Sequence, residues 1–118
     1  MTKQQIFNKV ARHLLRQRKK AEAGSICRYR TDDGLKCAVG VLIPNAKYKP
    51  EFEGSMIGIS DETESDEIRK AAGISERQID LARALQNVHD DYEPEHWRQE
   101  LADVAHNFGL NWPRGLAK

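Results

Sequence analysis

The chain has 118 residues, 39% of them hydrophobic, enough for one core of ordinary size but not for two. Its 19 Lys+Arg nearly balance 18 Asp+Glu, yet residues 1–30 hold nine basic groups and one acid (Glu22), giving +8, while the remainder holds ten basic and seventeen acidic groups, giving −7. The longest apolar run, residues 38–43, is far short of a bilayer span and Met1-Thr2-Lys3-Gln4-Gln5 does not open a signal peptide, so a soluble cytoplasmic protein with two reduced cysteines is expected.

Ile6, Phe7, Val10, Ala11, Leu14 and Leu15 recur at helical spacing and predict an amphipathic helix over residues 3–22, ended by Gly24. Lys9, Arg12, Arg16, Lys19 and Lys20 fall on its opposite side. Residues 25–43 read as a β-hairpin, with residues 26–30 and 35–41 flanking Asp32-Asp33-Gly34. A three-residue loop with Gly34 left-handed pairs Tyr29 with Cys37 and Cys27 with Val39; it turns Cys27, Tyr29, Cys37, Val39 and Val41 inward and Arg28, Arg30 and Lys36 outward. In that register the cysteines are diagonal and not suited to a disulfide.

Residues 44–60 show no sustained period and predict an irregular crossover, with a short strand at Met56-Ile57-Gly58-Ile59. An acid-fronted helix follows over residues 61–72, closed by Gly73. Ser75 and Gln78 form a capping box, and Leu81, Leu85, Val88 and Tyr92 follow at helical spacing and predict a helix that runs to about Asp90. Pro94 opens a last helix with Trp97, Leu101, Val104, Ala105 and Phe108 on one stripe, stopped by Gly109. The expected architecture is a single α+β domain over residues 1–110: N-terminal helix, hairpin, irregular crossover and a three-helix C-terminal half, with residues 111–118 as a tail.

Four constellations could carry function. The cations Lys9, Arg12, Arg16, Lys19, Lys20, Arg28, Arg30 and Lys36 offer attraction to nucleic-acid phosphates or an acidic protein, although no exposed aromatics interleave with them to stack bases. Cys37, His89 and Asp90 (or Asp91) are the residue types of a thiolate, its base and an orienting carboxylate. Cys27, Cys37, His89, His96 and His106 lack the close pairs of a structural zinc site, so neither metal nor cofactor is expected. Tyr48, Phe52, Met56 and Ile57, with Trp112, are apolar groups on irregular segments suited to an interface.

Through Cys27-Arg28-Tyr29, Gly34-Leu35-Lys36-Cys37-Ala38-Val39-Gly40, Leu42-Ile43-Pro44, Tyr48, Glu53-Gly54, Leu85-Gln86-x-x-His89-Asp90 and Trp97, the chain resembles small bacteriophage- and prophage-encoded proteins of unassigned function. It departs from them at Val41-Leu42, where a further cysteine is expected. The resemblance carries no activity; it implies an accessory protein that binds and inhibits or redirects a host or competing component. Three readings follow: a stoichiometric binder acting as inhibitor, immunity or counter-defence modulator; a thiol-dependent hydrolase or transferase using Cys37 and His89; and a nucleic-acid binder using the first helix. A host or competing-element protein is the first partner expected, nucleic acid the second, a membrane is not expected, and the charge separation allows salt-sensitive self-association.

Overall fold

The computed structural model describes residues 1–56 and 62–116. Helix α1 spans Lys3–Gln17 and starts in a reciprocal cap, the Gln5 N–H donating to Thr2 Oγ1 and the Thr2 N–H to Gln5 Oε1. Its six apolar residues, Ile6, Phe7, Val10, Ala11, Leu14 and Leu15, are all buried. Full burial of a side chain such as Ile6 or Leu14 contributes about 1.5–3 kcal/mol, which outweighs the weak propensity of Ile and Val for helix.

The helix ends five residues before the expected stop. Arg18 takes the left-handed cap at φ 52 and its N–H returns to Leu14 O. The early turn brings Ala21 into the core, fully buried, and frees Gly24, at φ 66, to turn a hairpin between strands β1 (Glu22–Ala23) and β2 (Ile26–Cys27). Glu22 pairs with Cys27 and Ala23 with Ile26. Residues 26–30 and 35–41 therefore do not form the expected ladder. Of it, one antiparallel bridge remains, Arg30 with Lys36, in the register of the three-residue loop with Gly34 at φ 89. Pairing goes no further because Ala21 O already accepts the Arg28 N–H, and residues 38–42 coil into a 3-10 turn at Gly40–Leu42.

Two more 3-10 turns, Asn45–Lys47 and Pro50–Phe52, order the first part of the crossover; the expected strand over 56–59 falls outside the described residues save for Met56. Helix α2 spans Glu62–Ala72, with Gly73 at φ 72 beyond it. The Ser75–Gln78 capping box leads into α3 (Ile79–Asp91), and the turn Pro94–His96 leads into α4 (Trp97–Asn107). Helices α1, α3 and α4 pack on one another, and the Gly40–Leu42 turn plugs α1 from the side of the crossover. Residues 111–116 lie along α1: Gln4 exchanges two hydrogen bonds with the Asn111 backbone, Trp112 meets the Phe7 ring edge-on and Pro113 is buried.

Among the described residues the architecture is thus four helices with one two-stranded antiparallel hairpin, an α+β fold with a radius of gyration of 13.2 Å. That radius matches the ~13–14 Å expected of one domain of this length. None of the described helices is long and apolar enough to cross a membrane.

With so little sheet, the backbone of residues 21–40 meets many of its donor requirements through side chains. His89 accepts the N–H of Ala21, Glu53 those of Tyr29 and Arg30, Thr31 that of Leu35, Gln17 that of Lys36, Gln86 that of Val39 and the Cys37 sulfur that of Gly40.

Candidate functional site

On α3, Gln86, His89 and Asp90 stand at i, i+3 and i+4 and so share one face, against β2 and the Val39 backbone. His89 is fully buried, its ring stacked on Trp97 at 5.6 Å between centroids. Its Nε2 lies 2.9 Å from the Ala21 N–H and must accept, so the partners assign the ring proton to Nδ1, which donates to Asp90 Oδ1 at 2.7 Å. Gln86 Nε2 donates to the same oxygen at 2.9 Å while its Oε1 takes the Val39 N–H. Burial alone would raise Asp90; the donations from His89 and Gln86 outweigh it and hold the carboxyl below its ordinary range.

The thiol hydrogen-bonded to Asp90 is that of Cys27, not Cys37. Burial, followed by the Asp90 charge, pushes Cys27 up to about 11. Cys37 is buried completely and pushed up to about 12 by that burial, the Gly40 N–H on its sulfur opposing the shift only in part. Both cysteines are free. The Lys20 charge opposes the rise at Cys27 only in part, Cys37 is closed off by burial, and both ring nitrogens of His89 are committed, Nε2 accepting from the Ala21 N–H and Nδ1–H donating to Asp90.

The same bonding bears on metal. Cys27, His89 and Asp90 bring one ligand atom each within 4.8 Å of one another, which is the spacing that a cation would use. A His ligand must offer a lone pair from one nitrogen and usually carries a proton on the other. Here Ala21 claims Nε2 and the proton occupies Nδ1, so metal binding through Nδ1 would set Nε2–H against the Ala21 N–H. His96 and His106 are exposed on α4 and the turn before it, and Asp91 is exposed at the end of α3.

The cations divide. Lys9, Arg12 and Arg16 are exposed on α1, and Lys36 joins them because its backbone is stitched to α1: its N–H donates to Gln17 Oε1, and its carbonyl accepts from Gln17 Nε2 and His13 Nε2. Partial burial, then the Arg30 and Lys9 charges, lowers the Lys36 pKa, and burial with Lys36 and Arg16 nearby lowers that of His13. Arg12 donates to the carbonyl of Arg114 and so brings a further cation beside α1 from the C-terminal segment. Among the described residues, no carboxylate lies within 4.0 Å of Lys9, Arg12, Arg16 or Lys36.

The rest of the expected patch is set apart from α1 or engaged with other groups. Lys19 is exposed beyond the end of α1, and Lys20 turns back to the Asp90 carbonyl and Glu93. Arg28 is 3.7 Å from Glu53, and Arg30 lies 4.6 Å above the Tyr48 ring with an N–H on the Ile43 carbonyl. Of the outward hairpin face expected to carry Arg28, Arg30 and Lys36, only the Arg30–Lys36 bridge forms.

The described residues of the expected interaction loop divide between core and surface. Phe52 is buried, and Tyr48 donates to Glu53 Oε2 at 2.5 Å under the Arg30 guanidinium. Burial and that bond push the Tyr48 hydroxyl up to about 12. Met56 is 42% exposed, and Ile57 lies outside the described residues. Glu53 and Gln86, two of the residues that clasp the irregular backbone, do not stand out by composition or spacing. The available signal was Gln86, a polar group at the buried positions of an otherwise apolar helix face. Searches against family models, curated proteins and solved structures each find no match to this chain.

Proposed function

We propose that this protein acts by stoichiometric binding to a macromolecular partner in the cytoplasm, as a phage- or prophage-type accessory factor that inhibits, protects against or redirects a host or competing component. One contrast supports this reading: the groups suited to covalent chemistry are used up inside the fold, whereas the cations of α1 and Lys36 are left open. With Cys27 near 11, the thiolate at pH 7 amounts to about one part in ten thousand, and Cys37 offers less. Lys9, Arg12, Arg16 and Lys36, without carboxylate partners among the described residues, form a field that an acidic surface neutralises, and they steer its approach. Among the described residues no exposed aromatic stands between them, which favours an acidic protein over a single-stranded nucleic acid. Contact with a duplex backbone is the second reading, since the same cations would release counterions from phosphates.

Affinity capture from host lysate, using the wild type and Arg12→Glu/Arg16→Glu with and without nuclease, tests the assignment. A protein retained after nuclease and lost on charge reversal is the expected result. Capture indifferent to the reversal overturns the role of this face, and capture abolished by nuclease transfers the partner to nucleic acid. Substrate turnover lost in Cys37→Ala with the fold intact would replace binding by a thiol-dependent hydrolase or transferase.

A further inference from the structure

A cleft of about 250 Å³ lies between β2, residues 53–56 and α3, away from the basic face of α1. Arg28, Glu53, Arg83, Gln86, Asn87 and Asp90 contribute its polar lining. Counted by formal charge these groups cancel, so charge alone selects no ligand. The hydrogen-bond inventory does.

Most of the acceptors of the cleft are spent on the protein. Glu53 Oε1 takes the Tyr29 N–H at 2.9 Å and Oε2 takes the Arg30 N–H and the Tyr48 hydroxyl. Asp90 Oδ1 takes His89 and Gln86, and the carboxylate also takes the Cys27 thiol. Gln86 Oε1 takes the Val39 N–H, and the Ser55 carbonyl takes the Tyr29 hydroxyl. The donors are open. Half-buried Arg83 presents five N–H groups with no protein acceptor among the described residues, and Arg28 engages Glu53 only through Nε at 3.7 Å, leaving the outer edge of its guanidinium unused. The Asn87 amide stands exposed at the rim.

The geometry points to this cleft as a binding site for a small molecule bearing a carboxylate or phosphate group, with Arg83 as its principal partner and Arg28 and Asn87 beside it. Guanidinium forks match the paired oxygens of both anions. The volume sits just below the ~300–1,000 Å³ of sites for drug-sized ligands, which suits a small metabolite. This site is separate from the surface proposed above, and either can fail alone.

Titration of the intact chain with inorganic phosphate and, separately, with succinate, followed by 15N chemical shifts including the Arg Nε–H signals, tests it. Saturable shifts at Arg83 and Asn87 with either probe are expected, the more effective probe identifying the anion class. Arg83→Met should weaken that binding at least tenfold, the effect of losing a charge-assisted hydrogen-bonded pair. Asn87→Asp, on the exposed rim where folding is not at stake, should weaken it in the same direction. Arg12→Glu/Arg16→Glu should leave it unchanged. No saturable shift with either probe, binding undiminished in both cleft variants, or binding abolished by the α1 reversal would overturn the site.

Discussion

Replacing Gln86 by Leu tests whether the polar groups under α3 hold the irregular segment in place. Gln86 is 9% exposed and bridges the Val39 N–H to Asp90. Leu fills a similar volume but leaves that N–H, on a residue only 1% exposed, without an acceptor. An orphaned buried donor costs about 1–3 kcal/mol, and loss of a hydrogen bond to a charged carboxylate a further ~1.5–3, offset in part by the greater apolar burial of Leu. A net loss of about 2–4 kcal/mol follows, a large share of the roughly 6–18 kcal/mol that holds a chain of this length folded. Urea unfolding followed by far-UV circular dichroism should show a lower midpoint at unchanged slope. Gln86→Glu separates the two contributions. It keeps an acceptor for Val39 but sets a second carboxylate against Asp90, so its own pKa in the fold rises above the unfolded value. Its deficit should therefore be largest near neutral pH and shrink as the pH falls through the raised value, while that of Gln86→Leu should not shrink in this way. A Gln86→Leu protein within 0.5 kcal/mol of wild type would refute the reasoning, because water would then be serving Val39.

Gly40→Ala should cost at least about 3 kcal/mol in the same assay: its added carbon would lie 2.9 Å from the Tyr29 carbonyl carbon and closer to the oxygen, against backbone that cannot rotate away. A near-neutral result would show that residues 28–30 move freely. Native-state hydrogen exchange should find the amides of Ala21, Tyr29 and Val39 protected like those of α1, and exchange at loop rates would remove the clasps from the account. Asp90 has a folded pKa below the unfolded one, so its stabilisation is complete above about 3.8 and lost as the pH falls through the lower folded value. Asp90→Asn should accordingly be destabilised near neutrality and lose less on acidification than wild type, and parallel acid limbs would contradict this. Iodoacetamide at pH 7.5 should modify Cys27 slowly and Cys37 only in urea, whereas rapid labelling of folded Cys37 would mean that its thiol is not held protonated by burial.

Helices were legible in the sequence because their apolar periods coincide with what the core needs; Ile6 to Leu15 and Leu81 to Val88 fall where spacing puts them. Boundaries failed where tertiary contacts overrode local signals. Gly24 reads equally as a helix stop and as a hairpin turn, and only the burial of Ala21 against His89 decides between them. The hairpin pattern over residues 26–41 misled for a related reason. Its alternation is real at Tyr29, Cys37 and Val39, which are all buried, but a side chain can be buried by a 3-10 turn as well as by a strand. The basic face was half legible, since Lys9, Arg12 and Arg16 follow from the wheel while Lys36 and Arg114 reach it only through contacts distant in sequence.

The residues that looked catalytic have a common explanation in the backbone that surrounds them. From residue 21 to residue 40 the chain has one two-residue strand pairing and one isolated bridge, so most of its N–H groups lack the ladder partners that a sheet would provide. Buried donors still need acceptors, and the side chains that can reach across to accept are those with exposed lone pairs at the end of a short arm: His, Glu, Gln, Thr and a thiol. These are also the types from which active sites are made. His89 with Asp90 has the form of a base and its orienting carboxylate, but the order of the bonds runs the other way. Asp90 fixes the tautomer, the tautomer turns Nε2 into an acceptor, and the acceptor takes the N–H of Ala21. Among the described residues the inventory is not closed in this manner at the guanidinium of Arg83 and on the cations of α1.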